Sequence, residues 1–206
     1  ARRTFFLNYQ VVHHMTENFL TKPADTPAKL HPLIGERWSP RIFDPGFKLD
    51  DDHVSSLLEA FRWSASSSNE QPWHAVLLRS GTKLFDEISR TGLGGFNASW
   101  APASSAYAIV LAAQLFEEKQ RDMAGTYFDA GLASSQLVTQ AEAMKLKAHY
   151  MGGINRDEIL RTIKAQDREV ICVIAIGKQG SLAGHSDELV ARESAPRLRK
   201  DPADVY

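Results

Sequence analysis

The chain has 206 residues, with 24 Lys or Arg against 25 Asp or Glu, so its formal net charge at pH 7 is −1. This length favours one domain with a sizeable core, and the balanced charge excludes the broad basic surface that a nucleic acid would require. The sequence contains no apolar stretch long enough to span a bilayer, so we expect neither a nucleic-acid nor a membrane partner.

The N-terminal part of the chain is predicted to lie outside the domain. The sequence Met15-Thr16-Glu17-Asn18 is typical of a translation start, so our hypothesis is that residues 1–14 are vector-derived or mis-started. Residues 15–33 contain three prolines and are predicted to form an extended arm rather than packed structure. A single domain is expected over residues 34–206.

A helix, a loop and a strand are predicted next. Asp50, Asp51 and Asp52 suit the N-terminus of a helix, and the apolar residues that follow recur at helical spacing as far as Phe61. The helix is expected to end near Trp63. A serine-rich loop over 64–72 and a strand over 74–79 should follow.

The middle of the chain is predicted to contain a short helix, a buried strand and a long helix. The short helix is expected over 82–90, before a flexible break at 91–95. Residues 106–112 are all apolar, which is typical of a strand buried on both faces. Residues 124–146 predict a long, mostly buried helix. Its buried stripe is expected to be Leu132, Gln136, Leu137, Gln140, Ala141 and Met144.

The C-terminal third is predicted to begin with a tight link at 149–154. Asn155 is expected to cap a helix together with Glu158, and a strand should follow over 168–177. The charged tail, residues 186–206, is predicted to extend over a partner subunit rather than close the domain. Helices and strands mix without strict alternation, which favours an α+β fold.

Several chemistries are excluded by their missing motifs. The sequence has no glycine-rich dinucleotide or P-loop motif, no zinc-protease helix and no serine-hydrolase elbow. The single cysteine, Cys172, lies in an apolar run and is interpreted as a small buried side chain, which fits a reducing, cytoplasmic compartment. No metal site is expected, and His149 is interpreted as structural rather than as a general base.

Two basic segments have alternating arginines. On an extended segment Arg37, Ser39 and Arg41 point to one side, where they could bind a phosphate and ring carbonyls. The other interpretation is a solvated turn. In the tail, Arg197 and Arg199 could complete such a site or be solvated charge.

The serine-rich loop ends in Asn69-Glu70-Gln71-Pro72-Trp73. Its short hydroxyl and amide groups could hydrogen-bond a polar heterocycle. The residues alone equally allow a plain connection from helix to strand.

Taken in chain order, these segments resemble the FMN-dependent nitroreductase family. That family has an R-x-S-x-R/K segment near its start, a P-S-S-x-N-x-Q-P-W loop, a long central helix, a glycine turn and a basic R-x-R tail. The corresponding stretches here are Arg37-Trp38-Ser39-Pro40-Arg41, Ala65-Ser66-Ser67-Ser68-Asn69-Glu70-Gln71-Pro72-Trp73, Met151-Gly152-Gly153 and Arg197-Leu198-Arg199. The resemblance covers about residues 33–206. It implies a three-layer α-β-α sandwich with a mixed, largely antiparallel sheet, in an intertwined homodimer with FMN sites at the subunit interface.

The resemblance also implies roles in binding FMN. Arg37, Ser39 and Arg41 inherit contacts to the phosphate, the ribityl chain and the ring carbonyls, while Trp38 contributes mainly backbone groups. The tail arginines match the segment that closes on the phosphate, and which of Arg197 and Arg199 contacts it stays open.

The loop positions implied to bind FMN belong to the other subunit's site: Ala65, Ser66, Ser67 and Asn69. Ala65 stands where the family usually has proline. Met151-Gly152-Gly153 match the turn whose backbone N–H faces flavin N5, where glycine permits close approach. Asn97 is expected near the pyrimidine ring.

The implied activity is a ping-pong oxidoreduction. NAD(P)H gives a hydride to N5 of FMN, and a nitroaromatic, quinone or similar acceptor is then reduced. The protein contributes positioning and electrostatics, so no acid–base residue is named. The alternatives are a flavin destructase or dehalogenase-like relative on the same fold, decided by lid residues between 93 and 125, and a flavin-binding protein without turnover.

Overall fold

The computed structural model describes residues 15–16, 19–113, 115–116, 119–120 and 122–205. The hypothesised leader, residues 1–14, therefore lies outside the described residues. The strands are β1 (Met15–Thr16), β2 (Phe19–Leu20), β3 (Trp73–Arg79), β4 (Ala106–Ala113), β5 (Leu115–Phe116), β6 (Lys119–Gln120), β7 (Lys147–Met151) and β8 (Arg168–Gly177). The α-helices are α1 (Pro32–Gly35), α2 (Asp51–Arg62), α3 (Lys83–Glu87), α4 (Asn97–Trp100), α5 (Met123–Ala143), α6 (Arg156–Ile163) and α7 (Asp187–Ser194). Shorter helical turns lie at Ser67–Asn69, Ile88–Gly92, Ala101–Ala103 and Pro202–Asp204.

A four-stranded sheet forms the centre of the protein, in the order β3-β4-β8-β7. Its three pairings are antiparallel, with Trp73 opposite Ala112, Ala106 opposite Ile176, and Lys147 opposite Gly177. The predicted α+β class is confirmed. The sheet was expected to be mixed, and within the described residues of one chain its pairings are purely antiparallel.

Two hydrophobic clusters cover the two faces of this sheet, which gives the predicted three layers. Successive side chains of β4 point to opposite faces. Tyr107, Ile109 and Leu111 pack in the cluster that includes residues of α3 and α6. Ala106, Ala108 and Val110 pack in the other cluster, against α2 and α5. The alanines on this second face leave room for α5 to lie close to the sheet.

Local sequence signals account for several element boundaries. Asp50 caps α2 by accepting a hydrogen bond from the His53 backbone N–H at 2.8 Å, and the helix ends before Trp63 as predicted. Asn155 caps α6 by accepting from the Glu158 N–H at 3.3 Å, again as predicted. The strands expected over 106–112 and 168–177 are β4 and β8.

The predicted stripe of α5 is partly wrong. Leu137 and Ala141 are buried, but Leu132 is 36% exposed and Gln136 is also exposed. Several of the residues of α5 that face the sheet are small, chiefly Ala130 and Ala133. The close approach of helix and sheet therefore selects small side chains, and the larger Leu132 lies on the outer face.

The flexible break predicted at 91–95 is also wrong in its first half. Gly92 belongs to the helical turn Ile88–Gly92 and is buried. A Cβ at Gly92 would lie 2.9 Å from Ile159 Cγ1, so this glycine permits α6 to pack closely. Similarly, the first half of the link predicted at 149–154 belongs to β7.

Residues near both ends of the described chain pack against the domain, which corrects part of the predicted arm and tail; the extension of the tail over a partner subunit stays a prediction. Residues 21–31 form neither helix nor strand, but Leu20 and Lys22 are buried. In the tail, α7 buries Leu189 and Glu193 against its own domain. These contacts could not be predicted from the charged composition, because a sequence does not distinguish a charged residue that is buried with hydrogen-bond partners from one on the surface.

In the part of the chain that the structure describes, no helix has both the length and the apolar character needed to cross a membrane. Cys172 is half-buried in β8, where burial raises its thiol pKa to about 12. Cys172 packs against the hydrophobic cluster on the α2 and α5 face, which agrees with its interpretation as a small packed side chain.

Candidate functional site

The segment Arg37–Arg41 is held in place through its backbone. The carbonyl oxygen of Pro40 lies 2.8 Å from Nδ1 of His149, so that nitrogen carries the proton and donates. The backbone N–H groups of Arg41 and Ile42 donate to the carboxylate of Glu193, at 2.7 and 3.4 Å. Three consecutive residues are thus fixed by two buried side chains.

The arginine side chains of this segment form no close ion pair with a carboxylate of the described residues. Arg37 Nη1 donates to Ser39 Oγ at 3.4 Å, a long hydrogen bond. Among the described residues no carboxylate lies within 4.0 Å of the Arg37 or Arg41 guanidinium, whereas surface arginines elsewhere pair with nearby glutamates. Those pairs are Arg62 with Glu59 at 2.6 Å, Arg90 with Glu87 at 2.5 Å, and Arg161 with Glu158 at 2.5 Å. Because neither guanidinium is held in a close ion pair, Arg37 and Arg41 can donate to an anionic ligand.

The pKa of His149 is affected by the positive charges of these arginines. Burial, together with the positive charges of Arg41 and Arg37, lowers its pKa to about 4, against the hydrogen bond to Pro40 that raises it. Its ring also lies 4.6 Å from the ring of Trp100. His149 is therefore a neutral, packed donor at physiological pH, which confirms its structural interpretation.

The two tail arginines differ in their contacts. The Arg197 guanidinium donates to carbonyl oxygens of the N-terminal segment: Gly35 O at 2.7 Å, Lys22 O at 3.2 Å and Ile34 O at 3.4 Å. Burial lowers the pKa of Arg197, and the charges of Arg199 and Arg37 add to this effect. Arg199 is exposed, and Nη1 donates to its neighbour Leu198 O at 2.7 Å. Arg197 lies close to Arg37, and we call Arg37, Arg41, Arg197 and Arg199 the arginine cluster. The Arg197 guanidinium is already bonded to backbone carbonyls, whereas more of the Arg199 donors are free.

The glycine turn after β7 forms the other end of the candidate site. Gly153 O accepts hydrogen bonds from Gly94 N and from Asn97 Nδ2, both at 3.0 Å. The N–H groups of Gly152 and Gly153 have no acceptor among the described residues. A Cβ at Gly152 would meet nothing within 4 Å. The turn therefore has two N–H donors without an acceptor among the described residues, and Gly152 borders open space where a flat ring could approach.

Met151, which precedes this turn, has a different environment. It is only 1% exposed and packs in the hydrophobic cluster that includes Ile159. Its side chain is not accessible to a ligand, so a contact from Met151 would have to come from the backbone. The side chain of this last residue of β7 points into the core, so the predicted role of Met151 at the cofactor stays a prediction about its backbone.

The serine loop lies against α5 rather than at the arginine cluster. The Ser67 N–H donates to the buried Asp129 carboxylate at 3.2 and 3.4 Å, and the Gln71 N–H donates to Ser66 Oγ at 3.0 Å. Ala65, Ser67 and Asn69 are exposed. Within one chain the described hydrogen bonds of this loop do not join it to Arg37 and Arg41. Its role towards a second subunit stays a prediction.

Sequence reasoning missed Glu193 and Lys22, which link the arginine segment to both ends of the chain. Glu193 lies four residues after the buried Leu189, so helical spacing alone places both on one face of α7. Lys22 had no comparable signal, because its acceptors are 171 and 173 residues away.

This architecture agrees with a comparison against known protein families. The model of the nitroreductase family matches residues 34–108 and 95–178 of the chain. The chain belongs to the nitroreductase family.

Individual relatives add detail. A crystal structure described as an oxidoreductase containing FMN is 30% identical, covers 94% of this chain and 96% of its own, and superposes with a TM-score of 0.80. A protein from Exiguobacterium sibiricum, assigned as a nitroreductase and solved in complex with FMN, is 20% identical over 90% of this chain and 98% of its own. Its TM-score of 0.68 shows a shared fold.

The major NAD(P)H-flavin oxidoreductase of Aliivibrio fischeri is 40% identical to this chain over 53 residues. The match spans 24% of each protein, so it covers about a quarter of that relative.

Proposed function

We propose that this protein is an FMN-dependent oxidoreductase in which NAD(P)H reduces bound FMN and a nitroaromatic, quinone or similar acceptor reoxidises it. The observation that carries the proposal is that two arginines without a close carboxylate and a glycine turn lie along one strand. His149 in β7 contacts the arginine segment through Pro40, and the free amides of Gly152 and Gly153 follow the end of the same strand. The similarity to an FMN-containing oxidoreductase supports it. The free Cys172 fits a cytoplasmic location.

The arginine cluster would bind the phosphate of FMN. Arg37 and Arg41 have no carboxylate within 4.0 Å among the described residues, so a dianionic phosphate would supply the missing counter-charge. Ser39 adds a hydroxyl beside Arg37, and its 3.4 Å contact is long enough to be exchanged for a ligand. Arg199 is the better candidate of the two tail arginines, because Arg197 already donates to three carbonyls.

The glycine turn would face the ring of the flavin. FMN, when bound, supplies a ring nitrogen that accepts a hydride from NAD(P)H and later returns two electrons to the acceptor. The free N–H groups of Gly152 and Gly153 would donate to that ring, and the open side of Gly152 gives it room. Asn97 holds Gly153 O at 3.0 Å and so fixes the orientation of the turn. The fit rests on donors that the chain itself leaves free.

The serine loop would complete the site of a second copy in a homodimer. Asp129 of α5 anchors the loop through the Ser67 N–H, and the same helix exposes 68% of Phe128. Trp63, just before the loop, is 76% exposed. Large exposed apolar side chains on neighbouring elements are typical of an interface. Ala65, Ser66, Ser67 and Asn69 would then reach the partner's FMN.

The double variant Arg37→Ala plus Arg41→Ala tests the flavin assignment. Charge-assisted hydrogen bonds contribute about 1.5–3 kcal/mol each, so losing both should weaken FMN binding by roughly a hundredfold to ten-thousandfold. We expect wild-type protein to be yellow with the absorption bands of a flavin, and the double variant to be largely flavin-free. The matched control is Arg62→Ala plus Arg90→Ala, because these arginines pair with surface glutamates. A double variant with full FMN occupancy would overturn the assignment.

A further inference from the structure

We infer that Glu193 is a positioning residue for phosphate recognition: its buried carboxylate fixes the backbone of Arg41 and so the direction of the arginine side chains. The inference rests on the proposed function. Glu193 is 1% exposed, and its two oxygens accept from the consecutive N–H groups of Arg41 and Ile42 at 2.7 and 3.4 Å. An ionised carboxylate accepts from two donors without offering one, so it suits this pair.

A buried carboxylate next to arginines would ordinarily form an ion pair with them. Here the charge of Glu193 is directed to backbone N–H groups instead, and among the described residues no carboxylate lies within 4.0 Å of the Arg41 guanidinium. The segment is therefore held by an acid that leaves the arginine side chain available. Burial raises the pKa of Glu193, while the two backbone donors and the charges of Lys22 and Arg41 lower it.

Lys22 fixes the position of Glu193 from the other end of the chain. Its ammonium group donates to the carbonyl oxygens of Glu193 and Ala195, the latter at 2.6 Å. These carbonyls terminate α7, where a positive charge is favourable. The ammonium group also lies 4.4 Å from the centre of the Trp38 ring, inside the arginine segment. Lys22, α7 and the arginine segment thus form one connected unit.

The consequence is a selective effect on the phosphate. If Glu193 directs the arginines, its loss should weaken binding of FMN much more than binding of riboflavin, which has the same ring but no phosphate. A residue that only stabilises the fold would weaken both ligands alike. The ratio of the two dissociation constants therefore separates positioning from stability.

In the experiment, flavin-stripped full-length protein is titrated with FMN and with riboflavin, and binding is monitored through the quenching of flavin fluorescence. Glu193→Gln keeps the shape of the side chain but presents an amide donor to one of the two N–H groups. We expect it to reduce the preference for FMN over riboflavin by about tenfold, as the loss of one well-placed hydrogen bond implies. The control is Glu188→Gln on the same helix, because Glu188 is exposed and pairs with Arg192 at 3.0 Å.

A second variant keeps the test decisive if Glu193→Gln does not fold. Lys22→Gln removes the charge that holds the end of α7, and we expect it to lower the FMN preference in the same direction. If the wild type prefers FMN and the variants keep that preference, or bind both ligands equally more weakly, the positioning role of Glu193 is overturned and the proposed function is not. Wild-type protein that binds neither flavin would overturn the proposed function as well.

Discussion

Protonation of His149 should destabilise the protein in mild acid. The neutral ring donates from Nδ1 to Pro40 O at 2.8 Å and packs 4.6 Å from the Trp100 ring. The charged groups that face it are Arg41 and Arg37, and both oppose a second positive charge. Charging the ring would therefore place a buried cation beside two arginines.

The size of the effect follows from the pKa. Burial, followed by the two arginines, lowers the pKa of His149 from 6.5 to about 4. A histidine whose pKa is depressed on folding contributes stability that is present above the unfolded pKa and is lost as the pH falls from 6.5 through about 4. At about 1.4 kcal/mol per pH unit, this gap corresponds to about 3 kcal/mol. That is a large part of the roughly 5–15 kcal/mol by which domains are stable.

Urea unfolding of the wild type and of His149→Gln, measured in steps from neutral pH to about pH 4, gives the comparison. Glutamine keeps an N–H donor for Pro40 but does not titrate. We expect the wild type to lose about 3 kcal/mol more than the variant across this range. His185→Gln, in the loop after β8, is the matched control and should follow the wild type. Parallel curves for the wild type and His149→Gln would refute the reasoning.

Two further predictions concern the turn and the interface. Gly153→Ala places a Cβ 3.2 Å from Asn97 Nδ2 and should cost about 1–2 kcal/mol in urea unfolding of the flavin-free protein. Gly152→Ala meets no atom within 4 Å and should cost less than about 0.5 kcal/mol, so equal losses would contradict the geometry of the turn. Phe128→Ser should shift the proposed dimer towards monomer in sedimentation, by about ten- to a hundredfold in dissociation constant. Leu84→Ser, at 43% exposure in α3 on the other face of the sheet, should not, and a wild-type monomer would contradict the interface.

Strong local patterns made much of the fold predictable. The acidic start of α2 and the unbroken apolar runs of β4 and β8 depend on neighbouring residues, so their boundaries follow from sequence spacing. The outer position of Leu132 and the burial of Gly92 do not follow from sequence spacing. Both result from how closely two elements approach, as when a Cβ at Gly92 would lie 2.9 Å from Ile159.

The candidate site divides in the same way. Arg37, Ser39 and Arg41 are neighbours in sequence, so alternation alone predicted that they could act together. The roles of Glu193 and Lys22 could not be predicted by spacing along one element, because Glu193 contacts Arg41 across 152 residues and Lys22 reaches α7 across 171. Both residues lie in segments that the sequence predicted not to pack against the domain, and their burial is seen only in the packed structure.

Anaerobic mixing of the purified, FMN-loaded protein with NADH and with NADPH tests the central claim most directly. The absorbance of the bound flavin is followed by stopped flow, with free FMN at the same concentration as the control. We expect at least one of the two nicotinamides to bleach the bound flavin rapidly, and a quinone or nitroaromatic added afterwards to restore it. Bound flavin that keeps its absorbance with both nicotinamides would contradict an NAD(P)H-dependent oxidoreductase.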